Sequence, residues 1–85
     1  MEKRRYRIEY GATAQGEIER LPQRVRTQIL RKIQRLEQGL HGDIKRLRAA
    51  NVAYRLRSGE FRILFDVAGD TILIRRVGIR RDIYD

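Results

Sequence analysis

The chain has 85 residues, a formal net charge of +9, a pI near 11.0, and 17 arginines against 3 lysines. That length suits one small domain, residues 1–85, and the guanidinium excess makes nucleic acid the first partner to consider. The lack of cysteine rules out disulfides, thiol catalysis and Cys-type zinc clusters, and a lone histidine, His41, argues against a His-based metal site or triad.

No run approaches membrane-spanning length, no helix joins a wide apolar face to a dense basic one, and MEKRRYRIEY lacks the apolar core of a signal peptide. A cytoplasmic chain without membrane contact is expected. There is no repeat, linker or low-complexity segment.

Residues 4 to 10 alternate, with Tyr6, Ile8 and Tyr10 against Arg5, Arg7 and Glu9, which predicts a first strand, apolar side to the core, ended by Gly11. Ala14, Ile18 and Leu21 fall at helical spacing and predict a helix from Thr13, its N-cap, to Leu21. Pro22 ends that helix and suits the start of the next. Val25, Ile29, Ile33, Leu36 and Leu40 lie 4, 4, 3 and 4 residues apart, predicting a helix from Gln23 to about Gln38, closed by Gly39 and Gly42. Residues 43 to 52, DIKRLRAANV, have no clean period and read as a connector whose surface carries Lys45, Arg46 and Arg48.

Tyr54 to Arg57 and Glu60 to Val67 alternate about Ser58-Gly59, the pattern of a hairpin. With those two residues as the loop, Arg57 falls opposite Glu60, Leu56 opposite Phe61, Arg55 opposite Arg62 and Tyr54 opposite Ile63. Tyr54, Leu56, Phe61, Ile63 and Phe65 then share one face, and Arg55, Arg57, Glu60 and Arg62 the other. Like charges so placed are unfavourable by up to roughly 1 kcal/mol, and a fork of guanidiniums matches phosphate oxygens in geometry and charge. The plain alternative is a solvated basic face with Glu60 pairing Arg57. Ala68-Gly69-Asp70 makes a second turn. Thr71 to Val77 is a last strand, apolar on both faces and so interior, ended by Gly78 and followed by a tail.

The strand, helix, helix, strand, strand, strand order, with LRAANVAYRLRSGEFRILFDV and VGIRRDIYD, resembles toxins of the RelE/ParE superfamily of toxin-antitoxin modules over nearly the whole chain. The matching positions are Leu47-Arg48, Tyr54-Arg55-Leu56-Arg57, Phe61-Arg62-Ile63, and Val77-Gly78-x-Arg80-Arg81 followed by Tyr84. The resemblance implies an α+β fold with two N-terminal helices packed on a small, mainly antiparallel four-stranded sheet (β-α-α-β-β-β). It also implies a cognate antitoxin, typically an acidic, partly disordered segment that a +9 surface attracts.

For the RNA-cleaving branch, the resemblance implies a ribosome-dependent endoribonuclease acting on mRNA, without metal or cofactor. The ribose 2′-hydroxyl attacks the adjacent phosphate, leaving a 2′,3′-cyclic phosphate and a 5′-hydroxyl. Such chemistry needs a proton acceptor, positive charge for the phosphorane and help for the leaving oxygen. By the resemblance, Arg62 stabilises the phosphate, Arg80 assists the leaving group, and Tyr84 acts as base or orients the nucleotide. Arg55 and Arg57 stand where well-known members carry lysines. Arginine stays charged, so these two stabilise charge and do not act as bases. The hairpin thus supplies charge without a proton acceptor, and the base role passes to Tyr84, whose phenolate neighbouring guanidiniums favour. The plain reading of Tyr84 is a ring packed on the sheet.

Lys45, Arg46 and Arg48 are read as phosphate-backbone contacts, with a solvated loop as the alternative. Arg81 either contacts RNA backbone or pairs with Asp82 or Asp85. Arg75 and Arg76 either extend the basic groove or bind an antitoxin carboxylate. His41 is expected on the surface, and Tyr6, Tyr10, Tyr54, Phe61 and Phe65 in the core. Two other readings stay open: a ParE-type DNA gyrase inhibitor without nuclease activity, which does not need this arginine cluster or a reactive tail tyrosine, and a non-catalytic nucleic-acid-binding domain.

Overall fold

Two hairpin turns organise the sheet, each placing a glycine where only a left-handed backbone fits. In the computed structural model, which describes residues 5–48 and 51–83, the elements are β1 (Arg7–Tyr10), α1 (Ala12–Glu19), α2 (Gln23–Arg35), β2 (Ile44–Arg46), β3 (Tyr54–Ser58), β4 (Phe61–Ala68), β5 (Thr71–Ile79) and the short α3 (Arg80–Ile83). A 3₁₀ turn, Leu36–Gln38, extends α2, and Gly39 closes it at φ 138°. The sheet order is β1-β5-β4-β3-β2, with β1 parallel to β5 and all other pairs antiparallel. The α+β fold, the two helices and the interior place of the last strand are as expected.

The sheet has five strands where four were expected, because part of the aperiodic connector adds on as β2. Three residues are too few to display a period, and an edge strand needs little apolar patterning. Helix α1 starts two residues earlier than expected, with Gly11 and not Thr13 at its N-cap, and stops at Glu19. Gly11 donates its N–H to the Ile74 carbonyl of β5 at 2.9 Å, and that approach sets where the helix begins. Strand β5 runs through Gly78 to Ile79, and part of the expected tail is the helical turn α3.

The hairpin register also differs. Ser58 pairs with Phe61, Arg57 with Arg62, Leu56 with Ile63, Arg55 with Leu64 and Tyr54 with Phe65. The loop is therefore Gly59-Glu60, with Gly59 first and at φ 59°. Two-residue hairpin turns of types I′ and II′ both demand positive φ at that first position, which glycine meets and serine resists. The expected opposition of Arg55 to Arg62, and of Arg57 to Glu60, is thus replaced by Arg57 opposite Arg62. The shift moves partners by two, so every side chain that stays in a strand keeps its expected face, and only Glu60 leaves its strand for the loop. The second turn repeats the device with Gly69 at φ 60° between Ala68 and Thr71.

The core lies between one sheet face and the helices. Ala14, Ile18, Ile29, Ile33 and Leu36 meet Leu56, Ile63, Phe65, Ile72, Ile74 and Val77. Ile74 and Val77 both reach it, despite their odd spacing, because pairing slips between Leu64 and Phe65 and leaves Arg75 as a bulge. Glu17 of α1 braces this bulge, accepting from the Val77 N–H at 2.8 Å and from Arg76 Nη2 at 2.9 Å. Tyr54 stacks on Phe65 with centroids 5.3 Å apart. Tyr10 departs from the expected core set: it is 36 % exposed. Burial, and then the Glu37 charge, push its phenol up from the ordinary value.

Candidate active site

The opposite sheet face is bare of long helices, and its geometry follows from Leu64. Alternation along β4 turns Leu64 away from the main core, where it forms a small second cluster with Val52 and Ile83, flanked by Leu47. Ile83 thereby pins α3 to this face. Gly78 makes the approach possible, since a Cβ there would stand 3.1 Å from Ile83 Cγ1. The Arg80 N–H donates to the Glu60 carbonyl at 3.2 Å, tying the tail to the hairpin turn.

Between turn and tail lies an open cleft of about 860 Å³, lined by Arg57, Arg62, Arg80 and Arg81 with Glu60, Gly59 and Ile79. Its size is in the range of small-ligand sites. Arg62 lies opposite both Arg57 on β3 and Gly78 on β5. Arg62 is the one buried charged residue among those described, at 8 % exposure. Its Nη1 donates to the carbonyls of Gly59 at 2.9 Å and Phe61 at 3.1 Å, while Nε has no partner. A guanidinium held on the turn that forms the cleft wall is preorganised for charge that develops in the cleft.

Four of the nine residues singled out from sequence thus converge: Arg57, Arg62, Arg80 and Arg81. Arg81 forms no ion pair with Asp82. Arg55 lies on the same sheet face but not in the cleft; its Nη2 bonds Asp43 Oδ1 at 3.1 Å, and its Nε is buried without a partner. Lys45 sits across from Arg55. Arg46 covers the Tyr54 ring, 5.6 Å from its centroid, and donates to the Tyr54 hydroxyl at 3.3 Å. Arg48 is exposed near the β2–β3 connection, and none of these three lines the cleft. Tyr84 lies outside the described residues, directly after Ile83 in the chain.

Arg75 and Arg76 both have partners within the chain. Arg75 Nη1 meets Asp66 Oδ2 at 2.8 Å, and Arg76 is held by Glu17, whose hydrogen bond raises the Arg76 pKa further. Asp66 also accepts the Ala53 N–H at 2.7 Å, so it anchors the strand that follows the connector. His41 is exposed, as expected. Glu60 is the cleft residue that sequence reasoning missed. Assigning it to a strand opposite Arg57 hid it, whereas glycine's demand for the first loop position puts Glu60 in the loop.

No family model matches the chain. Over 43 residues it is 49 % identical to Toxin RelE3 of Methanocaldococcus jannaschii, a match spanning 51 % of this chain and 49 % of that protein, about half the length of the curated relative. A chain in the crystal structure of the RelB-RelE antitoxin-toxin complex from Methanococcus jannaschii superposes with a TM-score of 0.74 at 32 % identity, covering 91 % of this chain and 95 % of that one. A chain of the RelBE2 toxin-antitoxin complex from Mycobacterium tuberculosis gives a TM-score of 0.76 at 25 % identity, over 89 % and 99 %.

Proposed function

Because this chain belongs to the RelE family of toxins, we propose that it is the toxin of a toxin-antitoxin pair and cleaves mRNA on the ribosome. The observation that carries this reading is the cleft where Arg57 and Arg62 of the hairpin meet Arg80 and Arg81 of the tail. The 2′-oxygen attacks the neighbouring phosphate in line, and charge builds on the phosphorane oxygens. Arg62, fixed on the turn carbonyls, and Arg57 stabilise that charge. Arg80, held to Glu60 through its backbone, faces the leaving 5′-oxygen, and Arg81 holds the flanking backbone. Tyr84 follows Ile83, whose own side chain is buried on this side of the sheet, and is assigned to act on or orient the nucleotide. Preorganised donors of this kind contribute about 10²–10³-fold in rate each.

Arg55, Lys45 and Arg48 extend positive charge over the face beyond the cleft and serve RNA backbone contacts, as does Arg46 with the donors its Tyr54 contact leaves free. The cognate antitoxin is an acidic segment that covers this face or displaces α3, and both partners meet the toxin in the cytoplasm. The reaction draws on no metal or cofactor.

The test adds purified protein to a translating extract and maps mRNA ends for wild type, Arg62→Ala, Arg80→Ala and Tyr84→Phe. Wild type is expected to leave cyclic-phosphate ends within ribosome-bound message, and each variant to cleave at least about 10²-fold more slowly. Arg62 also braces the turn, so Arg80→Ala is the cleaner variant. Inhibition of DNA gyrase without cleavage would refute the reading.

A further inference from the structure

Every proton acceptor considered for this site lies on the C-terminal tail, yet the cleft wall itself holds one. We propose that Glu60 is a catalytic residue, the general base that takes the proton from the ribose 2′-hydroxyl; this rests on the mRNA-cleavage reading above. Four of the cleft's side chains are guanidiniums, which do not give up a proton near neutrality. Glycine and isoleucine offer none. The Glu60 carboxylate is thus the proton-accepting side chain among the described lining residues.

Its placement fits the role in three respects. Glu60 is exposed at the second loop position, and the same Gly59 constraint that sets the register keeps it out of the strand. It forms no ion pair among the described residues, unlike Asp43, Asp66 and Glu17, each of which is engaged by an arginine. Its carbonyl accepts the Arg80 N–H, so the carboxylate and the guanidinium assigned to the leaving group sit on one hydrogen-bonded junction. The charged groups around it are Arg57 from β3, Arg62 from β4, and Arg80 and Arg81 from α3, with Tyr84 following in the chain. In the step, the 2′-O–H proton passes to the carboxylate, the 2′-oxygen forms a bond to phosphorus, and the P–O5′ bond breaks. The departing 5′-oxygen, its charge met by Arg80, takes a proton from water.

A carboxylate base and a phenolate base predict different pH dependence. A carboxylate base in general gives a single-turnover cleavage rate on pre-bound ribosomes that is level from about pH 6 to about pH 9. With Tyr84 as base, it climbs by about tenfold per pH unit toward the phenol range. Glu60→Gln, which keeps shape and loop conformation, is expected to slow cleavage by about 10²–10⁴-fold with message binding retained, and Glu60→Asp to recover part of the loss. Wild-type cleavage with Glu60→Gln unaffected, or a rate rising steadily across that range, overturns the assignment alone. A wild type that cuts no message overturns the cleavage reading and this assignment with it.

Discussion

Ile83→Ala should uncouple the cleft from the fold. Ile83 is 8 % exposed and holds α3 against Val52 and Leu64. Burial of an isoleucine side chain contributes about 1.5–3 kcal/mol, and the Arg80 amide bond to Glu60 adds about 1 kcal/mol. Against these stands the ordering of the four residues of α3, at about 1 kcal/mol each by the lower measures. The terms nearly cancel, so docking of the turn is marginal by itself. Truncation removes roughly 2 kcal/mol, a change of about 30-fold in the docking equilibrium constant. Because α3 is a four-residue turn lying on one small cluster, the loss should appear as local opening and not as global unfolding. Amide hydrogen exchange reads this directly: in Ile83→Ala the Arg80 amide should lose the modest protection that marginal docking gives it and exchange as an open amide, with the amides of Ile63 and Ile74 nearly unchanged. Message cleavage should fall in parallel, since Arg80 and Arg81 leave the cleft. Unchanged protection at Arg80, or loss of protection in step with Ile63 and Ile74, would refute the reasoning.

Arg57→Ala removes a charge directly opposite Arg62, so it should raise stability at low salt by up to about 1 kcal/mol while weakening anion binding; urea unfolding with and without inorganic phosphate checks both, and phosphate should stabilise the wild type more than the variant. Glu17→Ala strips the bulge of its bonds to Arg76 and the Val77 N–H, at a cost of about 2–4 kcal/mol read from the urea midpoint. Tyr10 has a folded pKa raised by burial and then by Glu37, so the folded state favours the neutral phenol. That contribution is complete below the unfolded phenol value, near ~10, and is lost as pH rises through the folded value. Unfolding measured through the alkaline range should show wild type losing more stability than Tyr10→Phe.

What could be seen in advance followed from periodicity, and what could not followed from backbone chemistry that periodicity does not record. The α2 stripe of Val25, Ile29, Ile33 and Leu36 spans enough turns to declare its face, and the Tyr54 to Phe65 alternation was enough to separate core from arginine face. Neither pattern distinguishes registers that differ by two, because both keep the same faces; the decision rests on which loop residue must be left-handed, and Gly59 makes it. That single choice exchanges Arg55 for Arg57 as the neighbour of Arg62 and moves Glu60 from a strand into the cleft. The same logic explains the missed β2, whose three residues reveal nothing until β3 is in place beside them. It also explains the tail, where Gly78 reads as a strand terminator but serves as the gap over which Ile83 packs. The arginine cleft is therefore legible as composition on two segments and becomes a site only through two glycines. Gly59 sets which guanidiniums face each other, and Gly78 lets α3 pack close enough to meet them.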